Sequence, residues 1–144
     1  MCKGWRITKM TTSKDDGNMI DHVAQFNLIQ EIAECESKKP WPSGHYAKTL
    51  FKKPDFRTVL ITMEPSAKMK EHHADGTISV QVLKGQIRFI VKGKARDLMT
   101  GSLLTLGASI RHEIEALEDS AFLLTISWPS EQELLAMKHR GYGT

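Results

Sequence analysis

At 144 residues the chain fits one domain, long enough to bury a core without disulfide or metal staples. A hydrophobic share of 40% with 26% charged residues argues against disorder along the whole chain. The formal charge of +3 is spread among acidic residues; the longest basic clusters, Lys38-Lys39 and Lys52-Lys53, are too short for a nucleic-acid footprint, and no run approaches the ~20 apolar residues that span a bilayer.

Residues 1–18 are polar and end in Ser13-Lys14-Asp15-Asp16-Gly17-Asn18, which reads as a flexible arm or an edge strand lent to a partner subunit. The first residues lack the apolar core of a secretory leader, and Cys2 and Cys35 show neither metal nor disulfide spacing, so a reducing, cytoplasmic setting is expected. From 19 to 36, Met19, Ile20, Val23, Phe26, Ile29, Ile32 and Ala33 recur at gaps of three and four and predict an amphipathic helix, with a break near Asn27. Pro40, Pro42 and Gly44 stop it, so 19–46 should be helix and loop packed on the strand-rich region that begins at residue 47. Trp41 and Tyr46 in that segment are candidates to cover one end of that region or simply to bury area.

Residues 47–130 change character. Short β-branched runs at 56–64, 78–83, 86–91, 102–106 and 121–128 are punctuated by Asp75-Gly76, Lys84-Gly85, Lys92-Gly93, Thr100-Gly101 and Gly107. A turn every six to nine residues or so is the pattern of an all-β sandwich or closed barrel. Ile78, Val80 and Val82 alternate with Ser79 and Gln81, giving one dry face and one wet face. Residues 131–144 return to helix: Ser130 with Glu133 forms a capping box, Lys138-His139-Arg140 suit the helix's negative end, and Gly141 can stop it.

Among the six histidines, His22 and His139 fall on the predicted helices, and His45, after a loop glycine, is read as solvated or as packing over a barrel mouth. His72 and His73 stand beside the Asp75-Gly76 turn, and His112 comes about forty residues later. Ser109 lies near His112, but no Gly-x-Ser-x-Gly elbow is present. Glu113 and Glu115 alternate with His112 and should face the other way.

The histidines and glycines together resemble the two motifs of the cupin superfamily, G-x(5)-H-x-H-x(3,4)-E-x(6)-G and G-x(5)-P-x-G-x(2)-H-x(3)-N. Anchored on Gly85, the first motif places Ser66, His72, Ala74 and Ile78 with the short spacer, or Glu71, His73 and Ile78 with the long one. Anchored on Gly101, the second places Gly107, Ser109, His112 and Ala116. The resemblance spans about residues 56–128 and implies a single-domain jelly-roll barrel, with a short helical segment before it and a short helix after it.

Family members that hold a metal use three histidines and a glutamate around Mn, Fe, Ni, Zn or Cu. Here Ile78 stands at the glutamate position, and Ile cannot ligate. The candidate ligand-binding residues are His72, His73 and His112; the same three, with Glu71 turned inward by a strand bulge, are the candidate metal set for one divalent ion, which the degenerate motif also allows to be absent. The resemblance implies two functions. One is a small-molecule-binding protein that uses the barrel lumen; the alternative is a metal-dependent oxygenase or isomerase acting on a small polar substrate. A homodimer is the expected assembly, with neither nucleic acid nor membrane as partner.

Overall fold

The structure, a computed structural model, describes residues 23–128. The arm expected over 1–18, residues 19–22 of the first predicted helix and the carboxyl-terminal helix over 131–144 lie outside the described residues. Within them, one helix, α1 (Leu28–Glu36), precedes nine strands: β1 (His45–Lys53), β2 (Phe56–Met63), β3 (Lys68–His72), β4 (Thr77–Lys84), β5 (Gln86–Val91), β6 (Lys94–Met99), β7 (Leu103–Leu106), β8 (His112–Ala116) and β9 (Ser120–Ser127).

Alternation decides how these strands stack. In β4 the aliphatic residues Ile78, Val80 and Val82 are buried while Ser79 and Gln81 are not. The same period places Val59, Ile61 and Met63 of β2, Ile87 and Phe89 of β5, and Phe122, Leu124 and Ile126 of β9 in one interior core. Burying each such side chain is worth about 1.5–3 kcal/mol, so one dry face per strand drives two sheets together. The sheets are antiparallel, with strand orders β1-β2-β9-β4-β7 and β3-β8-β5-β6. The interior between them is the lumen of the expected barrel.

Turn geometry explains the spacing of the glycines. Gly85 joins β4 to β5 at φ +73°, and a Cβ there would collide with the Asp119 carbonyl oxygen. Gly101 takes φ +90° with open space around it, so its backbone conformation alone calls for glycine.

A second, smaller core lies on the outer face of the five-stranded sheet. Leu50 of β1 and Leu60 of β2 point away from the lumen and meet Cys35, Ile32 and Phe26 beneath α1. Lys48 shares that outer face and is only 2% exposed. Its ammonium lies 2.6 Å from Glu31 and 3.2 Å from Glu34, residues three apart and therefore on one side of the helix. Burial alone would lower the Lys48 pKa, but hydrogen bonds to the two carboxylates outweigh it and raise it. Trp41 completes this layer, donating its indole N–H to the Cys35 carbonyl (3.1 Å) and stacking on Tyr46. Of the two roles open to these aromatics, area burial under α1 is the one seen.

The helix is shorter than its apolar spacing predicts. Residues 23–27 are not helical, and Asn27 is the N-cap, its side-chain oxygen accepting from the Gln30 N–H at 3.2 Å. An asparagine that satisfies an orphan N–H starts a helix rather than continuing one. Val23 and Ile29, counted in the apolar stripe, are 91% and 81% exposed.

Candidate functional site

Strand β3 lies beside β8, and their register brings the two motif histidines together. Met69 pairs with Ile114 and His72 with His112, so β3 advances three residues where β8 advances two. That extra residue is a bulge, and it resets which side chains face inward. Met69 and His72 are buried, while Lys70 and Glu71 are both exposed. A bulge was expected to turn Glu71 inward; the bulge forms, but it turns His72 inward and leaves Glu71 outside, in an exposed ion pair with Arg111 at 3.2 Å. His73 lies off the strand, 3.7 Å from Asp75 across the turn. Of the four candidate residues, the fold therefore pairs His72 with His112, leaves Glu71 on the exposed face and sets His73 on the adjoining turn, within electrostatic reach of both imidazoles.

The two imidazoles are side by side, with ring centroids 4.3 Å apart at 65°. His112, 1% exposed, also stacks on Phe89 at 5.0 Å and 21°. Each ring bonds to a carbonyl two residues earlier in the chain: His72 Nδ1 to Lys70 at 2.6 Å and His112 Nδ1 to Ile110 at 3.0 Å. A carbonyl only accepts, so both Nδ1 atoms carry a proton. Burial pushes His72 down to about 4; the Lys70 carbonyl works against that shift, and the neighbouring His112, His73 and His45 add to it. Burial likewise lowers His112, partly offset by the Ile110 carbonyl. Both rings are neutral at pH 7, and in each the Nε2 atom is the lone-pair acceptor.

The shorter motif spacing is the one the structure follows. Ala74 and Ile78, 7% and 2% exposed, take the second-histidine and glutamate positions. Ser66 and Ser109 stand where the motifs have glycine and keep the left-handed backbone, at φ +68° and +65°. The Ser109 N–H donates to the Ala74 carbonyl at 2.8 Å and ties the two motif loops together. The Ser109 side chain is exposed, while Glu113 and Glu115 face away from His112 as their alternation requires.

Two further residues face inward: Thr49, which the sequence does not single out, and His45, for which it leaves both solvation and packing over a barrel mouth open. His45 and Thr49 share the lumen side of β1 with Ala47, while Tyr46 and Leu50 pack outside. His45 is half-buried rather than solvated, near enough for its charge to depress His72. Thr49 is fully buried, and its hydroxyl has no hydrogen-bond partner among the described residues. The signal was present in the period-two run His45-Ala47-Thr49, but charged Lys48 beside it masked the strand.

The donor set around His72 and His112 falls short of what a resident metal ion needs. Two imidazoles adjoin, Glu71 lies on the exposed face, His73 sits on the adjoining turn, and Ala74 and Ile78 offer no ligand atom. Among the described residues no group of three or more His, Cys, Asp or Glu could hold a metal ion. Protein-held catalytic ions commonly use three protein ligands, so the described residues do not fit one. Outside the barrel, a groove of about 630 Å³ lies against the four-stranded sheet, lined by Ile90, Lys92, Arg111, Glu71 and Glu113 among others, with neither lumen histidine on its wall. Among the described residues, no helix is long and apolar enough to cross a membrane.

No family model matches the sequence, and neither does any curated protein. Solved structures do resemble the fold. A conserved protein of unknown function from Streptococcus pyogenes superposes with a TM-score of 0.62 at 20% identity, over 78% of this chain and 94% of that one. An RmlC-like cupin protein from Desulfovibrio desulfuricans gives 0.62 at 21%, over 74% and 97%. A cupin superfamily protein from Desulfitobacterium hafniense gives 0.60 at 14%, over 66% and 87%. Together with the two motif skeletons and the paired inward histidines, these likenesses identify the fold: the two sheets form a barrel of the cupin type.

Proposed function

We propose that the protein binds a small organic molecule in its barrel lumen, at the end marked by His72 and His112. The observation that supports this most is two neutral imidazoles held side by side in an interior that is aliphatic and aromatic apart from Thr49 and His45. Apolar enclosure with a few oriented polar groups is the usual build of a small-molecule site. The test is a ligand-observed NMR screen of small alcohols, phenols and amides against the wild type and His112→Asn. Asparagine can keep a donor for the Ile110 carbonyl while removing the ring acceptor at the Nε2 position. Losing one hydrogen bond of about 1 kcal/mol weakens binding roughly five-fold. Binders that ignore His112→Asn but are lost on Arg111→Ala would move the site to the outer groove and overturn the proposal.

The metal-dependent enzyme is the second reading, and one observation favours it: metal-ligating histidines commonly donate the other ring N–H to a carbonyl, as both rings do here. The donor set argues against it, so no reaction step is assigned. Metal analysis of the purified protein separates the two readings. One equivalent of tightly held metal, lost in His72→Asn, would favour the enzyme; a trace amount favours the binding protein.

The homodimer belongs to the same proposal. Edge strands β6 and β7 meet at a corner where Met99 and Leu103 are 66% and 64% exposed, and open sheet edges invite pairing. Sedimentation should give twice the 16.2 kDa chain mass, and a clean monomer at tens of micromolar would count against it.

A further inference from the structure

The Lys52-Lys53 pair, too short for a nucleic-acid footprint, gains a third cation from the fold. Register sets Arg57 of β2 directly opposite Lys52 of β1, and opposed residues of an antiparallel pair share one face. Arg57 stands two positions before Val59 and four before Ile61, both in the interior core, so that face is the inward one. On its other side Arg57 opposes Ile126, which in turn opposes Ile78. Ile78 lies at the start of β4, past the short turn that follows His72, so Arg57 belongs to the same end of the barrel as the histidine pair.

Arg57 is oriented but not saturated. Its guanidinium carbon lies 5.2 Å from the Trp128 ring centroid, a contact that favours one placement of the planar fork. Arg57 is partly exposed and Lys52 is exposed, so both side chains can be reached from solvent. The inner nitrogen, Arg57 Nε, is buried and has no hydrogen-bond partner among the described residues. The Thr49 hydroxyl shares that condition, and Thr49 opposes Val59, the next inward residue of β2. Like charges set opposite each other repel, and a buried N–H without an acceptor is costly. One oxyanion along the guanidinium edge answers both. It accepts from Nε and a terminal nitrogen together, the two-point geometry that arginine offers a carboxylate, and it brings negative charge to a pair of cations.

We infer that Arg57, with Lys52 beside it, binds the carboxylate of a small organic acid at this end of the barrel. The inference rests on the lumen-binding reading above and adds the chemical class of the ligand.

Cyclohexanecarboxylate and cyclohexanecarboxamide, which share a ring and differ in charge, test it. Each is titrated into the full-length protein at neutral pH and constant ionic strength. Proton–nitrogen NMR follows the Arg57 Nε–H, the Trp128 indole N–H and the rings of His72 and His112. The carboxylate is expected to move the Arg57 signal and to bind about ten-fold more tightly than the amide, the worth of one hydrogen bond to a charged group. Arg57→Gln, checked for folding by its backbone amide spectrum, should remove that advantage. Arg57→Lys, which keeps the charge and loses the fork, should restore only part of it. Lys52→Gln should weaken the carboxylate without lowering the urea midpoint, since it relieves repulsion in the unliganded protein. If the two compounds bind alike and Arg57→Gln changes neither, the carboxylate class is wrong while the lumen site stands. Signals that move only once Glu131→Gln and Glu133→Gln are introduced would assign Arg57 to the chain's own carboxylates and overturn the inference. If neither compound moves any of these signals in any variant, the lumen reading falls and this inference falls with it.

Discussion

Lys48 and the His72–His112 pair are buried in the same barrel, on opposite sides of its sheets, and the protein satisfies them differently. Lys48 meets two carboxylates from α1, so its charge is answered by the helix it holds in place. The imidazoles are oriented by one carbonyl each, through Nδ1, and meet each other and Phe89 rather than a counter-charge. On the proposal above, the outer layer is structural and the His72–His112 pair marks the working site.

Acidification should separate the two regions most strongly. Folded His72 titrates near 4, while an unfolded histidine titrates near 6.5. Between those values the unfolded chain takes up the proton and the folded chain does not, so stability is complete above about pH 6.5 and falls as pH drops toward 4. For His72 alone the loss is on the order of 3 kcal/mol, and His112 adds to it in the same direction. Urea midpoints at pH 7 and 4.5 measure the effect, and His72→Asn should flatten the decline. An unchanged slope in that variant would mean His72 is not the buried neutral group described.

The outer layer answers to charge instead. Glu31→Ala leaves buried Lys48 with the more distant Glu34 alone and should cost about 1–3 kcal/mol, the loss of one hydrogen bond to a buried charge, whereas Lys48→Met should be close to neutral, because an apolar replacement removes the buried charge altogether. Both variants should leave the ring resonances of His72 and His112 in place. A lumen signal that moves with Lys48→Met would show the two regions to be coupled. The smallest effect is expected at the motif turns, where serine holds a left-handed backbone. Ser66→Gly and Ser109→Gly should each stabilise by about 0.5–1 kcal/mol in thermal or urea denaturation, by relieving the Cβ penalty.

What the sequence could show depended on how cleanly each strand kept its period. Strand β5 runs over Gln86–Val91, the range its β-branched run predicts, and β4 differs from its predicted range by one residue at each end, because both alternate aliphatic with polar residues. Strand β6 was not readable: it is an edge strand with every residue but Leu98 exposed, so no dry face marks it. In β1 a charged residue, Lys48, is buried on the outer side, which hides the alternation that carries His45 and Thr49 inward. The ambiguity between His72 and His73 has a plain cause. A bulge shifts the period by one, and nothing in Lys68–His72 announces it; only the pairing of β3 with β8 settles which histidine faces the lumen. The motif skeleton was more robust, because spacing between turns survives even where serine replaces glycine and isoleucine replaces glutamate.

The central claim is that His72 and His112 are a neutral pair with protons on Nδ1 and acceptors at Nε2. Nitrogen NMR of the histidine rings in the ligand-free protein at pH 7 reads this directly, since protonated and bare ring nitrogens resonate in separate ranges. The account predicts the Nδ1–H form for both rings, persisting in His72 until the pH approaches 4. A proton on Nε2 of either ring, or an imidazolium at pH 7, would contradict it.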